Sequence, residues 1–420
     1  MTLRLGCVAD DFTGGTDVAA AIRRSGMTVT LLFGVPSTDQ SAPETDAVVI
    51  ALKTRTVPAT NAVTETLACL EWLQGHGVEN VYFKYCSTFD STDDGNIGPV
   101  TDAVLDALDE DVTMICPASP EHGRTMYDAH LFVGSDLLSD SSMRNHPLTP
   151  MTDPRIDRVL SRQTAHRVGV LGLIDVMGGS DAVSGRVSQL ASEGVRHIVT
   201  DAVTDEHLRT LASGAGLRVL TGGAGLAGAW ASVLTASDAP QQQELSLPEG
   251  PVMVLAGSCS TATLQQVSVA SDDMPSFRLD PAEEPDPEAL YDSAVSWLRA
   301  HWSSDARLLI YSSAGPDARA AGLAAMGPGT PEHLEEILGR LARDAADLGA
   351  GRIVVAGGET SGSVVQALGV TGVLIHGEAD RGVPWCTALD ADRSGLALLL
   401  KSGNFGSADL LVRASKAVAA

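Results

Sequence analysis

A lysine, several aspartates and a group of hydroxyl side chains are concentrated in the segment YFKYCSTFDSTDDGNIG, residues 82–98. Local hydrogen bonding in turns and helix caps explains two or three Ser, Thr or Asp residues, but not a cluster of this size beside a lysine. Lys84 can neutralise an anion, and the polar residues after it can exchange hydrogen bonds with a polyhydroxylated molecule. The residues predicted to do so are Ser87, Thr88, Asp90 and Ser91.

Two pairs of charged residues follow strand-like segments nearer the N-terminus. Asp10 and Asp11 are adjacent, so their mutual repulsion suggests that one of them meets a substrate hydroxyl or acts as a base; a helix cap is the alternative for at least one. Lys53 and Arg55 are two positions apart and therefore share one face of an extended backbone. This spacing predicts either a substrate carboxylate between the two cations or ion pairs with the protein's own acids.

Three glycine-containing loops in the second half of the chain each follow an apolar, strand-like run: GSCS at 257–260, GGETSG at 357–362 and KSGNFG at 401–406. Backbone amides at the start of a helix form a cradle for an anion, and the helix dipole adds to the attraction. The dipeptide Gly-Lys of a Walker loop does not occur in the sequence, so amides, hydroxyls and Mg²⁺ would carry the phosphate charge. Together the loops predict a phosphate-bearing ligand.

A fourth glycine-rich stretch, GGAGLAG at 222–228, matches the spacing of a dinucleotide-binding turn. In such sites an acid ends the next strand about twenty residues later, but a glutamine-rich segment stands there instead. We therefore interpret the stretch as a tight strand-to-helix turn, and an NAD-dependent sugar-acid dehydrogenase is the less favoured alternative. A non-catalytic sugar-acid sensor would leave the three loops of the second half unexplained.

The elements that position these residues follow a regular pattern. Short apolar runs alternate with helix-period segments along the whole chain, beginning with LRLGCVA, TDVAAAIRRSG and TVTLLFG. This alternation predicts two α/β domains with largely parallel sheets, whose ligands bind beyond the carboxyl ends of the strands. PASPEHGR also follows a strand, and we include its last residue, Arg124, among the substrate contacts. We expect the active site in the cleft between the domains.

The predicted boundaries are a substrate-binding domain at 1–236, a polar linker at 237–250 and a nucleotide-binding domain at 251–420. The linker is placed by its proline and its three consecutive glutamines. Residues 134–157 form the longest stretch without clear periodicity. Such a stretch predicts a lid or binding loop, or alternatively a contact in a homo-oligomer.

Composition limits the range of partners. The 420 residues carry a formal net charge of −25, which disfavours nucleic acid and anionic membranes because polyanions would be repelled. The sequence has no basic-then-apolar leader and no apolar run near the ~18–20 residues of a membrane span. Its six cysteines are scattered, without metal-binding spacing. We therefore expect small-molecule ligands and a cytoplasmic location.

The motifs ADDFTGGTD, ALKTRT, FKYCSTFDST, CPASPEHGRT, AGSCS, AGGETSG and KSGNFG together resemble those of the four-carbon acid sugar kinase family, over essentially the whole chain. FKYCSTFDST with AHLFVG and NHPLTPMTDP is similar to the branch that acts on 3-oxo-tetronates. The resemblance implies an N-terminal domain that binds the sugar acid, a C-terminal domain that binds ATP, and Mg²⁺-supported phosphorylation of the C4 hydroxyl. A kinase of a non-oxidised tetronate, erythronate or threonate, is the alternative.

The resemblance also implies particular site residues. The ATP contacts carried over from the matching motifs are Ser258, Gly357, Gly358, Glu359, Thr360 and Gly403. For the sugar acid, we hypothesise that Lys53, Arg55 and Lys84 surround its carboxylate. One of Asp10 or Asp11 would then orient or deprotonate the C4 hydroxyl, with the γ-phosphate held in line by the nucleotide loops and Mg²⁺.

Overall fold

The protein is known from a computed structural model, which describes residues 3–146, 148–235, 247–393 and 395–416. The chain folds into two compact units, Met1–Gln242 and Gln243–Ala420. Each unit is an α/β structure with a largely parallel sheet, so the predicted fold class is confirmed. Positions 237–246 of the predicted linker lie outside the described residues.

In the first unit, strands and helices alternate along most of the chain, as the sequence predicts. Its described strands are β1 Leu5–Ala9, β2 Val29–Phe33, β3 Ala47–Ala51, β4 Asn80–Lys84, β5 Thr113–Cys116, β6 Arg124–Tyr127, β7 His130–Val133, β8 Asp136–Leu137, β9 Arg167–Leu171, β10 Val195–Thr200 and β11 Val219–Gly222. Its described helices are α1 Phe12–Arg24, α2 Ala59–Gly75, α3 Ile97–Leu108, α4 Ile156–Ser161, α5 Leu173–Met177, α6 Ser180–Ser192, α7 Asp205–Ala215 and α8 Ala224–Thr235.

The main sheet of this unit has the strand order β2-β3-β1-β4-β11-β5-β10-β9, and all neighbouring strands are parallel. Strands β1 (LGCVA) and β3 (AVVIA) are buried along their whole length. Continuous apolar runs of this kind are expected where helices cover both faces of a parallel sheet. The central strands therefore form a rigid platform whose carboxyl ends carry the polar loops.

A small antiparallel sheet, β6-β7-β8, interrupts the alternation and is not predicted by the sequence. Its turns rely on left-handed residues, including Asp128 and Ala129 with φ of 49° and 57°. Two short 3₁₀ helices, Leu138–Asp140 and Ser142–Asn145, follow it within the aperiodic stretch at 134–157. Backbone bonds between Met126 and Ala202 tie the small sheet to the rest of the unit.

The second unit repeats the α/β plan with an antiparallel edge. Its described strands are β12 Val252–Ala256, β13 Ser276–Arg278, β14 Arg307–Tyr311, β15 Arg352–Ala356, β16 Gly372–Asp380, β17 Val383–Ala388 and β18 Ala397–Lys401. Its described helices are α9 Thr261–Asp273, α10 Pro287–His301, α11 Pro316–Met326, α12 Thr330–Asp347, α13 Gly358–Leu368 and α14 Leu410–Ser415. Strands β13-β14-β12-β15-β18 are parallel, and β17 and β16 continue the sheet in antiparallel fashion.

The core of the second unit lies where apolar strand residues meet α9 and α14. Val254, Val354 and Leu399, from the three central strands, belong to one buried cluster with Val267 of α9 and Leu411 of α14. Among the helices that the structure describes, none has the length and apolar character needed to cross a membrane.

Candidate active site

Strands β1 and β4 are neighbours in the first unit, with Ala9 paired to Lys84 at their carboxyl ends. After β1 the chain crosses to β2 on one side, whereas after β4 it moves to β5 on the other side. Connections that diverge in this way leave a crevice at the ends of the two strands, which is where α/β sheets bind ligands. The residues that follow β1, β3 and β4 meet there.

Arg55 is the centre of an acidic cluster that also contains Asp10, Asp11 and Asp90. Its Nε and Nη2 atoms donate to the two carboxylate oxygens of Asp10 at 2.9 and 2.7 Å. Nη2 also donates to Asp11, and Nη1 lies 3.8 Å from Asp90 Oδ2. Of the two alternatives predicted from the Lys53–Arg55 spacing, Arg55 therefore makes ion pairs with the protein's own acids, in the bidentate geometry that makes such pairs strong.

Asp11 is also the N-cap of α1, since its Oδ1 accepts from the Gly14 amide at 3.0 Å and its Oδ2 from the Thr13 hydroxyl at 2.8 Å. Burial acts to raise the pKa of this carboxyl, but Arg55, Lys84 and the two hydrogen bonds outweigh it and keep the pKa below its usual value. For Asp10, burial is the stronger effect and raises the pKa despite the opposing charge of Arg55. Protein donors therefore occupy both carboxylates that the sequence nominates as bases.

The loop after β4 has an unusual backbone conformation. Phe89 and Asp90 have φ values of 66° and 41°, in the left-handed region that is costly for residues other than glycine and that persists mainly at functional sites. The Thr88 hydroxyl donates to Asp90 Oδ1 at 2.7 Å, and the Phe89 ring packs edge-on against Tyr85 with centroids 5.5 Å apart. These contacts hold the Asp90 carboxylate beside Arg55.

Lys84 and Ser87 carry donors that no group in the described part of the chain uses. Lys84 is only 3% exposed, yet within the described part of the chain neither its ammonium group nor the Ser87 hydroxyl has a hydrogen-bond partner. A β-carbon built on Gly14 would lie 2.8 Å from Lys84 Nζ, so the ammonium group lies against the first turn of α1. Donors of this kind, on a buried lysine and a half-buried serine, are available to bind a ligand or water.

Two of the predicted substrate contacts do not join the acidic cluster. Lys53 is exposed, and its ammonium group lies 5.2 Å from the centroid of the Phe12 ring. Arg124 begins β6 and donates to the His122 carbonyl. Its Nε is buried without a partner in the described chain, and no ion pair there joins it to the cluster. A contact of either residue with the substrate stays a prediction.

Two amide side chains that the sequence analysis missed hold the loops in place. Asn96 donates to the backbone carbonyls of Thr54 and Arg55 at 2.5 and 3.2 Å, which fixes the segment that presents the Arg55 side chain. Gln163 donates to the Ser91 hydroxyl at 2.9 Å, so this predicted substrate contact is already partly engaged. Asn96 ends the polar cluster in the sequence and could have been suspected, whereas nothing near Gln163 marks it.

The GGAGLAG stretch is a tight turn whose glycines serve helix packing. Strand β11 ends at Gly222 and α8 begins at Ala224. A β-carbon on Gly228 would lie 3.1 Å from the Ala21 carbonyl oxygen of α1, and one on Gly225 would lie 2.7 Å from Leu208 of α7. The glycines therefore allow α8 to approach two neighbouring helices closely.

In the second unit, the three glycine loops meet at a corresponding crevice. Strand β15 has β12 on one side and β18 on the other. The Gly257 and Ser258 amides both donate to the Ala356 carbonyl, at 3.0 and 3.2 Å, and the Gly357 amide donates to the Lys401 carbonyl at 3.0 Å. After β12 the chain continues on the β14 side of the sheet, whereas after β15 it continues on the β18 side. The connections of these two neighbouring strands therefore diverge, as they do after β1 and β4.

The loop at 357–362 leaves the first turn of a helix open to an anion. Gly357 is the N-cap of α13, has a φ of 139° and supplies no side-chain cap. A β-carbon there would lie 3.1 Å from the Ser258 amide nitrogen, so glycine is required by both conformation and space. The amides of Gly358, Glu359 and Thr360 are therefore not used by a capping side chain, which favours anion binding.

Gly403 connects the third loop to the start of α9. Its carbonyl accepts from the Ser260 hydroxyl at 2.6 Å, the Thr263 hydroxyl at 2.8 Å and Lys401 Nζ at 3.1 Å. A β-carbon on Gly403 would overlap the Ser258 hydroxyl, so the two loops are in direct contact. The structure thus brings together Ser258, Gly357 and Gly403, three of the predicted ATP contacts.

Lys401 is fully buried at this point, and no carboxylate of the described chain pairs with it. Its ammonium group donates to the Thr263 hydroxyl and the Gly403 carbonyl, both at 3.1 Å. Burial lowers the pKa of Lys401 to about 8. An ammonium group near the N-terminal turn of α9 opposes the preference of helix N-termini for negative charge, so this unit holds uncompensated positive charge beside the loops.

An apolar cavity of about 480 Å³ begins at the first of these loops. It extends from Gly257 and Cys259 to a wall formed mainly by the start of α11 and of α12. The residues that give the wall its apolar character are Leu279, Pro281, Pro316, Leu323, Pro331 and Leu334. A cavity of this size and lining is typical of a small-molecule site.

The described residues contain no preformed metal site. Within the described ranges, no group of three or more His, Cys, Asp or Glu side chains could hold a metal ion. Mg²⁺ in phosphoryl-transfer enzymes is bound mainly by substrate phosphates and water, with one or two carboxylates. The glycine loops include one carboxylate, that of Glu359 in the first turn of α13.

Family models match both units. Residues 5–230 match a model described as a sugar-binding N-terminal domain, and residues 253–411 match one described as a nucleotide-binding C-terminal domain. Similar curated proteins include the 3-oxo-tetronate kinase of Burkholderia multivorans, 46% identical over 99% of this chain and 97% of the relative. The 3-oxo-tetronate kinase of Cupriavidus necator is 47% identical over 96% and 95% of the two chains.

Two crystal structures are similar over almost the whole chain. Haemophilus influenzae protein HI1011, of the family model DUF1537, is 39% identical with a TM-score of 0.80, and the match covers 97% of this chain and 98% of that one. A protein of Salmonella typhimurium LT2, provisionally described as a tRNA synthase, is 41% identical with a TM-score of 0.89, covering 98% and 99%.

Proposed function

Because this chain belongs to the four-carbon acid sugar kinase family, we propose that it transfers the γ-phosphoryl group of ATP to the C4 hydroxyl of a 3-oxo-tetronate. The observation that carries the proposal is the pairing of two different crevices in one chain. One is lined by hydrogen-bonding side chains around Lys84, and the other by amides and glycines around Lys401. A sugar acid and a polyphosphate need these two kinds of site.

In the first unit, the unpartnered donors of Lys84 and Ser87 bind the sugar acid. Arg55 already pairs with three aspartates, so Lys84 is the better candidate for the substrate carboxylate or its 3-oxo group. The acidic cluster accepts hydrogen bonds from substrate hydroxyls at the lone pairs left free by Arg55. A ligand that lacks these hydroxyls leaves buried acceptors unpaired, which gives the site its selectivity.

In the second unit, the glycine loops bind the phosphates and the apolar cavity receives the adenine and ribose. The amides of Gly358, Glu359 and Thr360, the Ser258 hydroxyl and the charge of Lys401 supply the positive potential that a Walker lysine supplies elsewhere. Glu359, in the first turn of α13, is the carboxylate that would contact a nucleotide-bound Mg²⁺ or its water, and the ion would supply neutralisation of phosphate charge. The six cysteines are free thiols, which suits an ATP-consuming enzyme of the reducing cytoplasm.

A coupled ADP-release assay across four-carbon sugar acids and their 3-oxo forms tests this function. We expect Mg²⁺-dependent ADP release with a 3-oxo-tetronate, and a C4 phosphate ester as the product by ³¹P NMR. Turnover of erythronate or threonate at a higher kcat/KM would support the non-oxidised alternative. NAD reduction without ADP release would overturn the kinase assignment. A tRNA-directed activity is disfavoured by the net charge of −25.

The position of the nucleotide is tested by filling the cavity. Ala318→Trp places an indole in the cavity from α11, so we expect the Kd for ADP, measured by calorimetry, to rise at least tenfold. Ala325→Trp, on an exposed position of the same helix that does not line the cavity, is the matched control. Unchanged ADP affinity in Ala318→Trp would place the adenine elsewhere.

A further inference from the structure

Asp17 lies on the face of α1 that looks toward Lys84. Gly14, Asp17, Ala21 and Arg24 are spaced three or four positions apart and therefore share one face of the helix. Lys84 Nζ lies against Gly14 at one end of this face, and Arg24 at the other end pairs with Glu121 at 3.0 Å. Asp17 is thus about one helical turn beyond Gly14, between Lys84 and Arg24.

The Asp17 carboxyl differs from those of Asp10 and Asp11 in having a buried oxygen that no donor of the described chain reaches. Its Oδ1 atom is buried and has no hydrogen-bond partner among the described residues. By contrast, Asp10 accepts two bonds from Arg55, and Asp11 accepts from Arg55, Thr13 and Gly14. A buried acceptor without a donor is costly, and in a native site it points to a ligand that supplies the donor.

The charges around Asp17 suit a group that exchanges a proton near neutrality. Burial raises its pKa to about 7, with Lys84 and Arg24 lowering it and Glu121 and Asp11 raising it. A general base works best when its pKa is close to the working pH, because it is then both ionised and able to hold a proton. Asp11, with its pKa below the usual value, is the weaker base of the two.

We propose that Asp17 is the catalytic base that accepts the proton of the reacting hydroxyl, while Asp10, Asp11 and Arg55 form the frame that positions the sugar acid. This inference rests on the proposed kinase function. In the step, the hydroxyl O–H bond breaks and its proton moves to the Asp17 carboxylate. The hydroxyl oxygen bonds to the γ-phosphorus of ATP, and the bond from that phosphorus to the β–γ bridging oxygen breaks, releasing ADP. The proton later leaves to solvent.

The pH dependence of the unmodified enzyme is the first test. We expect kcat/KM for the sugar acid to rise between pH 6 and pH 8 and then level off, as the base becomes ionised. The titratable groups facing Asp17 from the neighbouring elements, Lys84, Glu121, Asp11 and Arg24, are the ones that set the midpoint. A profile that is flat from pH 6 to pH 8.5, at saturating Mg²⁺, would overturn the proposal.

Asp17→Asn is the second test. We expect kcat at pH 8 to fall about 10²- to 10⁴-fold, the usual contribution of a general base. The calorimetric Kd for the sugar acid and the KM for ATP should stay within about threefold, and the rise of kcat/KM with pH should disappear. Asp39→Asn, at an exposed loop position, is the matched control and should keep full activity and the pH profile.

The alternative roles of Asp17 have distinct signatures. If it only orients Lys84, Asp17→Asn will raise KM for the sugar acid and keep the pH dependence, which contradicts the proposal. If the unmodified enzyme releases no ADP with any four-carbon acid, the kinase function fails before Asp17 is tested. If the unmodified enzyme is active and Asp17→Asn keeps the full kcat, the base assignment of Asp17 is wrong while the kinase function stands.

Thermal stability provides a readout that does not depend on turnover. The Asp17 pKa is raised on folding, so its ionisation opposes folding increasingly as pH rises from about 4 to about 7. Asp17→Asn should therefore have a higher Tm than the unmodified protein at pH 8, and a smaller difference at pH 5. A variant that is less stable at both pH values would show that the carboxyl is structural.

Discussion

At the scale of single residues, the chemistry depends on which charges the protein compensates by itself. Arg55 pairs with three aspartates, and its contact with the substrate carboxylate stays a prediction. Lys84, Lys401 and Asp17 are buried or partly buried without an opposite charge bonded to them in the described chain. Such groups destabilise the free protein and are stabilised when a ligand pairs with them, so they mark where binding energy is gained.

Replacing Arg55 tests its role as the shared counter-ion. Arg55→Met removes the ion-pair partner of Asp10, Asp11 and Asp90 and leaves Lys84 to offset the charges of Asp10 and Asp11, so the free energy of unfolding at pH 7 should fall by about 3–5 kcal/mol in urea titrations followed by circular dichroism. Arg162→Met removes an ion pair with Asp93 in which both side chains are about half exposed, and it should change the free energy of unfolding little because solvent screens exposed ion pairs. An equal decrease in the free energy of unfolding in the two variants would contradict the proposed role of Arg55 as the shared counter-ion.

Lys401 should couple nucleotide binding to proton uptake. Its pKa of about 8 in the free protein will rise when phosphate charge is bound nearby, so at pH 8.5 ADP binding should take up a fraction of a proton. Calorimetry in two buffers of different ionisation enthalpy measures this uptake. Lys401→Met should abolish it and weaken ADP binding at least tenfold, whereas Lys416→Met, at an exposed lysine, should change neither. Persistent uptake in Lys401→Met would assign the proton to another group.

At the scale of elements, both sites arise from the same construction. A fully buried parallel strand ends, the chain turns through polar or glycine residues, and a helix begins within a few positions. Neighbouring strands whose connections diverge then bring several such turns to one crevice. In the first unit these turns carry charged side chains, whereas in the second they carry glycines and uncapped helix amides. The same strand–turn–helix arrangement therefore produces two kinds of candidate site.

Gly357→Ala tests whether the backbone of the second site is essential. The added β-carbon would press on the Ser258 amide in a backbone conformation that alanine rarely adopts. We expect ADP affinity to fall at least tenfold while sugar-acid affinity is unchanged, both measured by calorimetry. Gly377→Ala, an exposed position in β16 with open space around it, should bind ADP normally. Unaltered ADP binding in Gly357→Ala would remove this loop from the phosphate site.

At the scale of the whole molecule, a net charge of −25 works against both anionic ligands. The repulsion acts on the approach of sugar acid and nucleotide, and salt screens it because the Debye length is about 10 Å at 0.1 M. We therefore expect kcat/KM for the sugar acid to increase several-fold between about 10 and 150 mM NaCl at constant Mg²⁺. A decrease would indicate that local positive potential at Lys84 dominates the approach.

The sequence by itself determines the fold class, the family and the loops that line the two candidate sites. Apolar periodicity and turn residues are local properties, and they place Asp10, Asp11 and the Lys84 loop after strands of one unit and the glycine loops after strands of the other. The N-cap role of Asp11 is equally local, since its bonds reach only to Thr13 and Gly14. The sequence motifs also indicate the four-carbon acid sugar kinase family, to which the similar curated proteins and the matching family models point as well.

Only the tertiary structure decides which of these groups are free to act. Arg55 meets Asp10 across 45 positions of sequence, and Gln163 reaches Ser91 across 72. Asp17 and Lys401 lie in motifs that the sequence marks, but their pKa shifts come mainly from burial, which the motifs do not reveal. Periodicity and helix capping depend on residues that are close in the sequence, so the sequence locates the loops of the candidate sites. Desolvation and charge pairing depend on contacts between segments that are distant in the sequence, so only the fold shows which side chains in those loops are paired.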